Sequence, residues 1–375
     1  MTLRVSWGQA LAWRMRRHCL EPLVDATPAE VVRRLCGVQA QVASSAELAI
    51  RLRQRHSRAG EVAEALRRGE IIKTWAMRGT LHYLAPGDAG DYLSLLAAGR
   101  SWEVPSWQKY FGLRPQDFDE MRDVAREALD GRVLTREELT AAMLRRPRLR
   151  HLRSELSSGW GSLLKPLAWQ GDLCFGPAQG NRVTFMRPDQ ASSRWAGVPE
   201  ADEAAPRAIL AYLGAYGPAT VEHFGRFISR GRVSKRSLRA WFARLGDRVT
   251  EVVVDGETAF VAAEDVDDLA ASRPRSTIRL LGGFDQWVLG PGTEDPHVVP
   301  QRYRRLVSKQ SGWIAPLVVA GGEVIGTWEL DGSTVRIGTF AGGRKPGKQA
   351  LTSEARRMAA LLGRELTLDV ATVRA

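Results

Sequence analysis

Two glutamines separated by a single residue, in Gly37-Val38-Gln39-Ala40-Gln41, have the residue types and spacing best suited to chemistry in this sequence. On a helix, residues i and i+2 point about 200° apart, whereas on an extended segment they share one face. Gly37 ends one apolar-periodic run and Ser44-Ser45 caps the next, which leaves the residues between them extended. Two primary amides then project toward one spot. An amide donates and accepts at once, so a pair can hold a water molecule while contacting a sugar or a base. Two glutamines in a helix–helix connection are equally compatible with solvated loop residues, and spacing alone leaves both readings open.

A second segment with polar potential is Thr74-Trp75-Ala76-Met77-Arg78-Gly79-Thr80-Leu81-His82. Alternation along a strand sets Thr80 and His82 on one face and Leu81 on the other. Arg78, at the turn, has the charge to hold a phosphate, and His82 the reach to contact DNA or lie beside the water site. The competing expectation is a strand packed on its own helices with His82 satisfied internally. Basic residues alternate with aromatics in 102–111, 145–151 and 302–305, runs suited to neutralising phosphates and stacking on bases, or simply to solvation.

Other chemistries lack their signatures. The sequence has no P-loop, no GxGxxG after a strand, no HExxH, no GxSxG and no acidic metal cluster, so neither a metal nor a cofactor is expected. Cys19, Cys36 and Cys174 are far apart, which argues against a disulfide framework or zinc knuckle and fits a reducing cytoplasm. No apolar run reaches the roughly 20 residues that span a bilayer, and the N-terminus lacks the apolar stretch of a signal peptide, so a soluble cytoplasmic protein is expected.

The elements that must position these residues are legible from caps and periodicity. Thr27-Pro28-Ala29-Glu30 reads as a capping box with proline at the first helical position, and Thr135 to Leu139 as the capped start of another helix. Helices are predicted over 5–19, 45–54, 60–68, 154–170, 206–216, 220–228 and 234–245. Strand pairs are predicted at 71–77 with 80–84, 172–176 with 182–185, and 249–254 with 258–261, the last turning at Asp255-Gly256. Helices followed by a hairpin form the outline of a winged helix, and the outline recurs. Past Ser272 the texture changes to short apolar strands, including 278–281, 287–289, 315–320, 323–328 and 335–337, with a helix over 353–362 and a last strand over 366–370.

The expected class is therefore α+β: three tandem winged-helix units over 1–130, 131–190 and 200–270, and a β-rich domain over 272–375. The 375 residues exceed what one core usually serves. The 54 Lys+Arg against 42 Asp+Glu give a net charge of +12, which favours a polyanionic partner, nucleic acid first.

Taken together, Gln39-Ala40-Gln41, Trp75 to His82, Gly283-Phe284-Asp285 and Val307-Ser308-Lys309-Gln310-Ser311-Gly312-Trp313-Ile314 resemble the AlkZ/YcaQ-type winged-helix DNA glycosylases of the Gln-Φ-Gln branch, in the family's order and over nearly the whole chain. The departure is a small Ala40 where a larger aliphatic is common. The resemblance implies a concave clamp on double-stranded DNA and hydrolysis of the N-glycosidic bond of N7-alkylated purines. Bulky natural-product guanine adducts or interstrand crosslinks are the implied lesions, and antibiotic self-resistance the implied role. It implies Gln39 and Gln41 as catalytic residues, with Trp75, Arg78, Thr80, His82, Asp285, Lys309 and Gln310 supporting catalysis or binding DNA. No lyase step, no required protein partner and a monomer acting at the nucleoid are expected. The alternative carried forward is a non-enzymatic winged-helix transcriptional regulator, against which repeated units and the lack of a coiled coil count.

Overall fold

The computed structural model describes residues 2–159 and 161–374 of a mixed α+β chain. It comprises two compact units, each assembled from separated stretches: Met1–Glu61, Ile209–Phe227 and Leu245–Ala375 in the first, Val62–Ala208 and Ile228–Arg244 in the second.

In the first unit, Ser6 caps the helix Trp7–Arg17 and exchanges hydrogen bonds with Gln9. Thr27 caps Pro28–Arg34 in the expected capping box, its hydroxyl accepting from the Glu30 amide at 3.3 Å while the Glu30 carboxylate accepts from the Thr27 amide at 2.7 Å. Replacing Thr27 by alanine is expected to cost about 1 kcal/mol, read as a lower urea midpoint at unchanged slope. The hairpin Val249–Val254 and Glu257–Ala262 turns at Asp255 (φ 46°) and Gly256 (φ 94°), both left-handed as a two-residue turn of this kind requires. Its open edge is paired in parallel by the N-terminal strand Arg4–Val5, so the helix expected from residue 5 begins only at Trp7. A two-stranded ribbon is marginal alone, and a third strand covers the row of unpaired backbone groups.

The same unit holds a five-stranded sheet in the order Ile278–Leu281, Leu317–Ala320, Glu323–Asp331, Thr334–Phe340 and Thr367–Val373. The first pairings are antiparallel and the last is parallel, made possible by the helix Lys348–Leu362 that carries the chain across. Residues 287–289, expected as a strand, form instead the helix Gln286–Leu289. Three apolar residues carry no periodicity, and Asp285, whose carboxylate accepts from the Trp287 amide at 2.8 Å, caps them as a helix.

In the second unit the hairpin Ile72–Trp75 and Leu81–Leu84 shares one sheet with Cys174–Phe175 and Thr184–Met186, joined through Lys73 opposite Phe175, and Leu134–Thr135 pairs beyond them. The helix expected over 154–170 is two short ones, Arg153–Ser157 and Lys165–Trp169. Gly161, at φ 60°, ends any continuous helix, and Pro166 starts the next one at a position where its missing N–H costs nothing. Helices Pro86–Ala97, Pro105–Phe111 and Pro115–Leu129, which the sequence reading left unassigned, complete this unit.

Candidate active site

The glutamine segment lies in the first unit between two helices. Leu35 closes Pro28–Arg34, Cys36 (φ 55°) and Gly37 (φ 101°) turn the chain through two left-handed residues, and Val38–Gln39 is a strand. Val42 is extended and leads into the helix Ala43–Arg51. Along the segment Val38 and Ala40 are fully buried, Gln39 is 6% exposed and Gln41 is exposed. The chain thus stays in the core through Ala40 and reaches the surface at Gln41, so the first amide is held deep and the second lies at the surface. A glutamine that is nearly buried has given up most of its rotamer freedom at folding, so its amide is held in place before any substrate arrives.

The helix that follows the pair is bolted to the Gly282–Asp285 turn. A side chain at Gly282 would press on Leu48, and one at Gly283 on the Ile314 carbonyl, so two glycines here permit close packing against Ala43–Arg51 and the loop beyond. The Arg53 guanidinium donates to both Asp285 oxygens at 2.9 and 2.7 Å and to the Ala49 carbonyl at 2.6 Å, all without solvent exposure. Burial pulls the Arg53 pKa down most strongly, but the Asp285 charge and its hydrogen bonds, with smaller help from neighbouring groups, together outweigh burial and leave it above the usual arginine value. Asp285 is therefore corrected from a DNA contact to the buried counter-ion of Arg53 and the cap of the following helix. A carboxylate facing phosphates would repel them; here its charge is spent inside. Lys309 and Gln310 are exposed, as a DNA contact needs, in a loop closed by the Ser308–Ile314 bridge and turned by Ser311 (φ 58°) and Gly312 (φ 75°). Trp313 in that loop, half exposed and edge-on to Phe284 at 5.0 Å, had not been singled out. Its signal was available: a tryptophan beside a glycine turn and a lysine.

The 74–82 segment, in the second unit, is chiefly architecture. Trp75 is 5% exposed and packed on Phe175 and Phe185 at 4.7 and 5.8 Å, so it is corrected from a DNA contact to a core residue. Arg78, half-buried, adopts φ 61° in the turn, and Thr80 donates to the Met77 carbonyl at 3.2 Å. His82 is fully buried; its Nδ1–H donates to the Thr80 carbonyl at 3.0 Å. Burial, with the Arg78 charge adding to it, lowers its pKa to about 3, so it is neutral and inaccessible to DNA. This hairpin forms a strand packed internally, with His82 satisfied at Nδ1 only, since its buried Nε2 has no hydrogen-bond partner among the described residues.

That burial has a pH consequence. His82 titrates near 6.5 when unfolded and near 3 when folded, so the stability it contributes is complete above about pH 6.5 and is lost as pH falls toward 3. Burial likewise holds His18, between Arg14 and Arg53, well below its usual value and lowers His223 to about 4. Stability should fall by roughly 1.4 kcal/mol per pH unit for each such histidine once the unfolded ring is protonated. Urea midpoints from pH 7.5 to 5 test this. A His82→Phe variant should show a shallower slope, and an unchanged slope rejects the assignment.

Among the basic–aromatic runs, much is internal. Trp102 stacks on Phe118, Tyr303 stacks on Phe340, and Arg146, Arg148 and Arg304 pair with Glu127, Glu120 and Glu294. Tyr110, 80% exposed beside Lys109, lies at the surface, as do Arg145, Arg150 and Arg305. Among the described residues no cluster of His, Cys, Asp or Glu is placed to hold a metal ion, and no helix is long and apolar enough to cross a membrane.

By comparison with known proteins, this basic α+β chain falls among the DNA glycosylases, enzymes that cut the bond between base and sugar. The family model for AlkZ-like DNA glycosylases matches residues 32–361, and the chain is a member of that family. It is 48% identical, over 96% of its length and 98% of the relative's, to a Streptomyces sahachiroi protein described as an interstrand DNA cross-link repair glycosylase. The solved structure of the DNA glycosylase AlkZ from Streptomyces sahachiroi superposes with a TM-score of 0.96 at 47% identity, covering 99% of this chain and all of that one. Membership in an enzyme family decides against the regulator reading.

Proposed function

We propose that this glycosylase hydrolyses the N-glycosidic bond of N7-alkylated purines in duplex DNA, using Gln39 and Gln41 to place the water. The observation that carries the reading is the pair of amides itself, Gln39 held at 6% exposure between buried Val38 and Ala40, with Gln41 exposed two positions on.

A neutral amide neither deprotonates water strongly nor pairs with a sugar cation as a carboxylate does. The substrate must therefore bring its own activation. Alkylation at N7 makes the purine cationic, so the C1′–N9 bond breaks with its electron pair passing to the base, which leaves neutral and needs no proton. Water oxygen bonds C1′ and releases its proton to solvent. The amides accept from that water and orient it toward C1′, and their carbonyl dipoles favour the developing positive charge on the sugar. Since no amine attacks, an intact abasic site is the product and no strand is cut.

Bulky guanine adducts or interstrand crosslinks are the proposed lesions, by analogy with the named activity of the Streptomyces sahachiroi relative. Such adducts do not fit a snug pocket, and an exposed Gln41 suits a site that works without full extrusion of the base. We further propose that three tandem winged-helix units, over 1–130, 131–190 and 200–270, and the β-rich remainder clamp the duplex. Arg78, Lys309 and Gln310 serve the phosphates, and one copy of the chain acts alone at the nucleoid. Incubation with a duplex carrying one N7-methylguanine, followed by alkali, should reveal strand breaks at that position only. Breaks without alkali would refute the hydrolytic mechanism, and release of unmodified purines would refute the requirement for a cation.

A further inference from the structure

Both ends of the glutamine segment are tied to one short element, Asp285 to Gly290. On the downstream side the tie is the Arg53–Asp285 pair described above. On the upstream side it is Tyr216, the last residue of the helix Ala201–Tyr216, whose hydroxyl donates to the Leu35 carbonyl at 2.7 Å with the side chain fully buried. Leu35 immediately precedes the left-handed Cys36-Gly37 turn. Cys36 pays a steric cost at φ 55° that only its surroundings can sustain, and the Tyr216 hydroxyl grips the carbonyl at the start of that turn.

The ring of Tyr216 is itself held from several sides. Tyr212 and Phe227 lie at 5.1 and 5.6 Å, and His18 meets it edge-on at 4.9 Å. Gly290 provides the seat: a Cβ there would overlap the ring at three atoms. Gly290 is fixed in turn, its amide donating to the Gln286 carbonyl at 2.9 Å and its carbonyl accepting from the Tyr212 hydroxyl at 3.3 Å. The helix between Asp285 and Gly290 thus serves as a common anchor, with Arg53 pulling on one end and Tyr216 resting on the other.

We propose that Tyr216 is a positioning residue for Gln39 and Gln41, fixing through Leu35 and the Cys36-Gly37 turn the angle at which the extended segment leaves the core. This rests on the catalytic reading of the glutamines. Tyr216 is buried, so it acts through backbone geometry and touches no substrate. Displacing a reacting group by even a fraction of an ångström lowers the rate without lowering affinity, because the contacts that hold DNA lie elsewhere.

The test is Tyr216→Phe, which removes one oxygen and keeps the ring in its seat. Single-turnover release of N7-methylguanine should slow by about tenfold or more, with duplex affinity within about twofold. Amide hydrogen exchange in a peptide spanning residues 36–42 should quicken by about tenfold, the loss of one hydrogen bond, while peptides from the five-stranded sheet stay unchanged. Adding Tyr216→Phe to Gln39→Ala should slow release no further. Wild-type release by Tyr216→Phe, faster exchange spread evenly over the unit, or full multiplicative loss in the double variant would each overturn the proposal. If Gln39→Ala is slow and Tyr216→Phe is not, the positioning role alone falls. If Gln39→Ala releases base at the wild-type rate, the catalytic reading falls and takes this inference with it.

Discussion

Alanine at both Gln39 and Gln41 should reduce release of N7-methylguanine by at least about 10²-fold, with duplex affinity within about threefold. The effect is large because the proposed mechanism assigns the protein one task at the sugar, holding water against C1′ in a fixed direction. Truncating both side chains leaves that water to diffuse. It does not touch the substrate's own activation, so release should remain faster than for an unmodified purine. The single variants should differ. Gln39 is 6% exposed and Gln41 is exposed, so Gln39→Ala removes a group already immobilised by folding and should be the more damaging. Gln39→Ala also opens a small buried space, and a thermal midpoint shifted by only a few degrees would separate lost chemistry from lost structure. Undiminished release by the double variant would end the assignment of the pair as catalytic.

The largest effect on stability should come from the Arg53–Asp285 pair. Both side chains are fully buried, and the guanidinium makes two hydrogen bonds to the carboxylate. Arg53→Met leaves Asp285 as a buried charge with no counter-ion, and Asp285→Ala strands Arg53 in the same way while also uncapping Gln286–Leu289. Each single change should cost about 3–5 kcal/mol. The pair Arg53→Met with Asp285→Leu removes both charges together and should recover much of that loss, since desolvating two ions offsets most of their attraction. The readout is a set of urea midpoints for wild type, both singles and the double. Singles within about 1 kcal/mol of wild type would mean that the pair is effectively solvated and would refute its role as the anchor beneath the glutamine segment.

How much of this was visible beforehand depended on how local the determinant is. The capping box at Thr27, the helix cap at Thr135 and the Asp255-Gly256 turn were read from a few neighbouring residues, and each formed as expected. The extended character of Val38–Gln39 was equally local, set by Gly37, but Gln41 lies in a bend and the next helix starts at Ala43 after Val42, not at the expected Ser44-Ser45 cap, which falls inside the helix. Errors arose where a short apolar run had no period of its own, as at 287–289, or where glycines interrupted a helical pattern, as in 154–170. At Trp75 and His82 the sequence left an internal and a DNA-facing reading both open, for a different reason. Strand alternation says which residues share a face, but not whether that face meets water or another layer, and here aromatic packing closed it.

The chain order of its residues settled the basic charge, most helix starts, the hairpin turns and the placing of two amides two positions apart, the first on a short strand and the second in the bend after it. These follow from local sterics, backbone hydrogen bonding and composition, which need no distant partner. Tertiary structure alone decided which polar groups would be withdrawn from solvent and whom they would meet: Asp285 found Arg53 at a separation of 232 residues, and Tyr216 found Leu35 at 181. Burial and pairing depend on what other segments bring to the same place, and the free energy of a charge or hydroxyl in a low-dielectric interior is set by those neighbours and not by its own stretch of sequence.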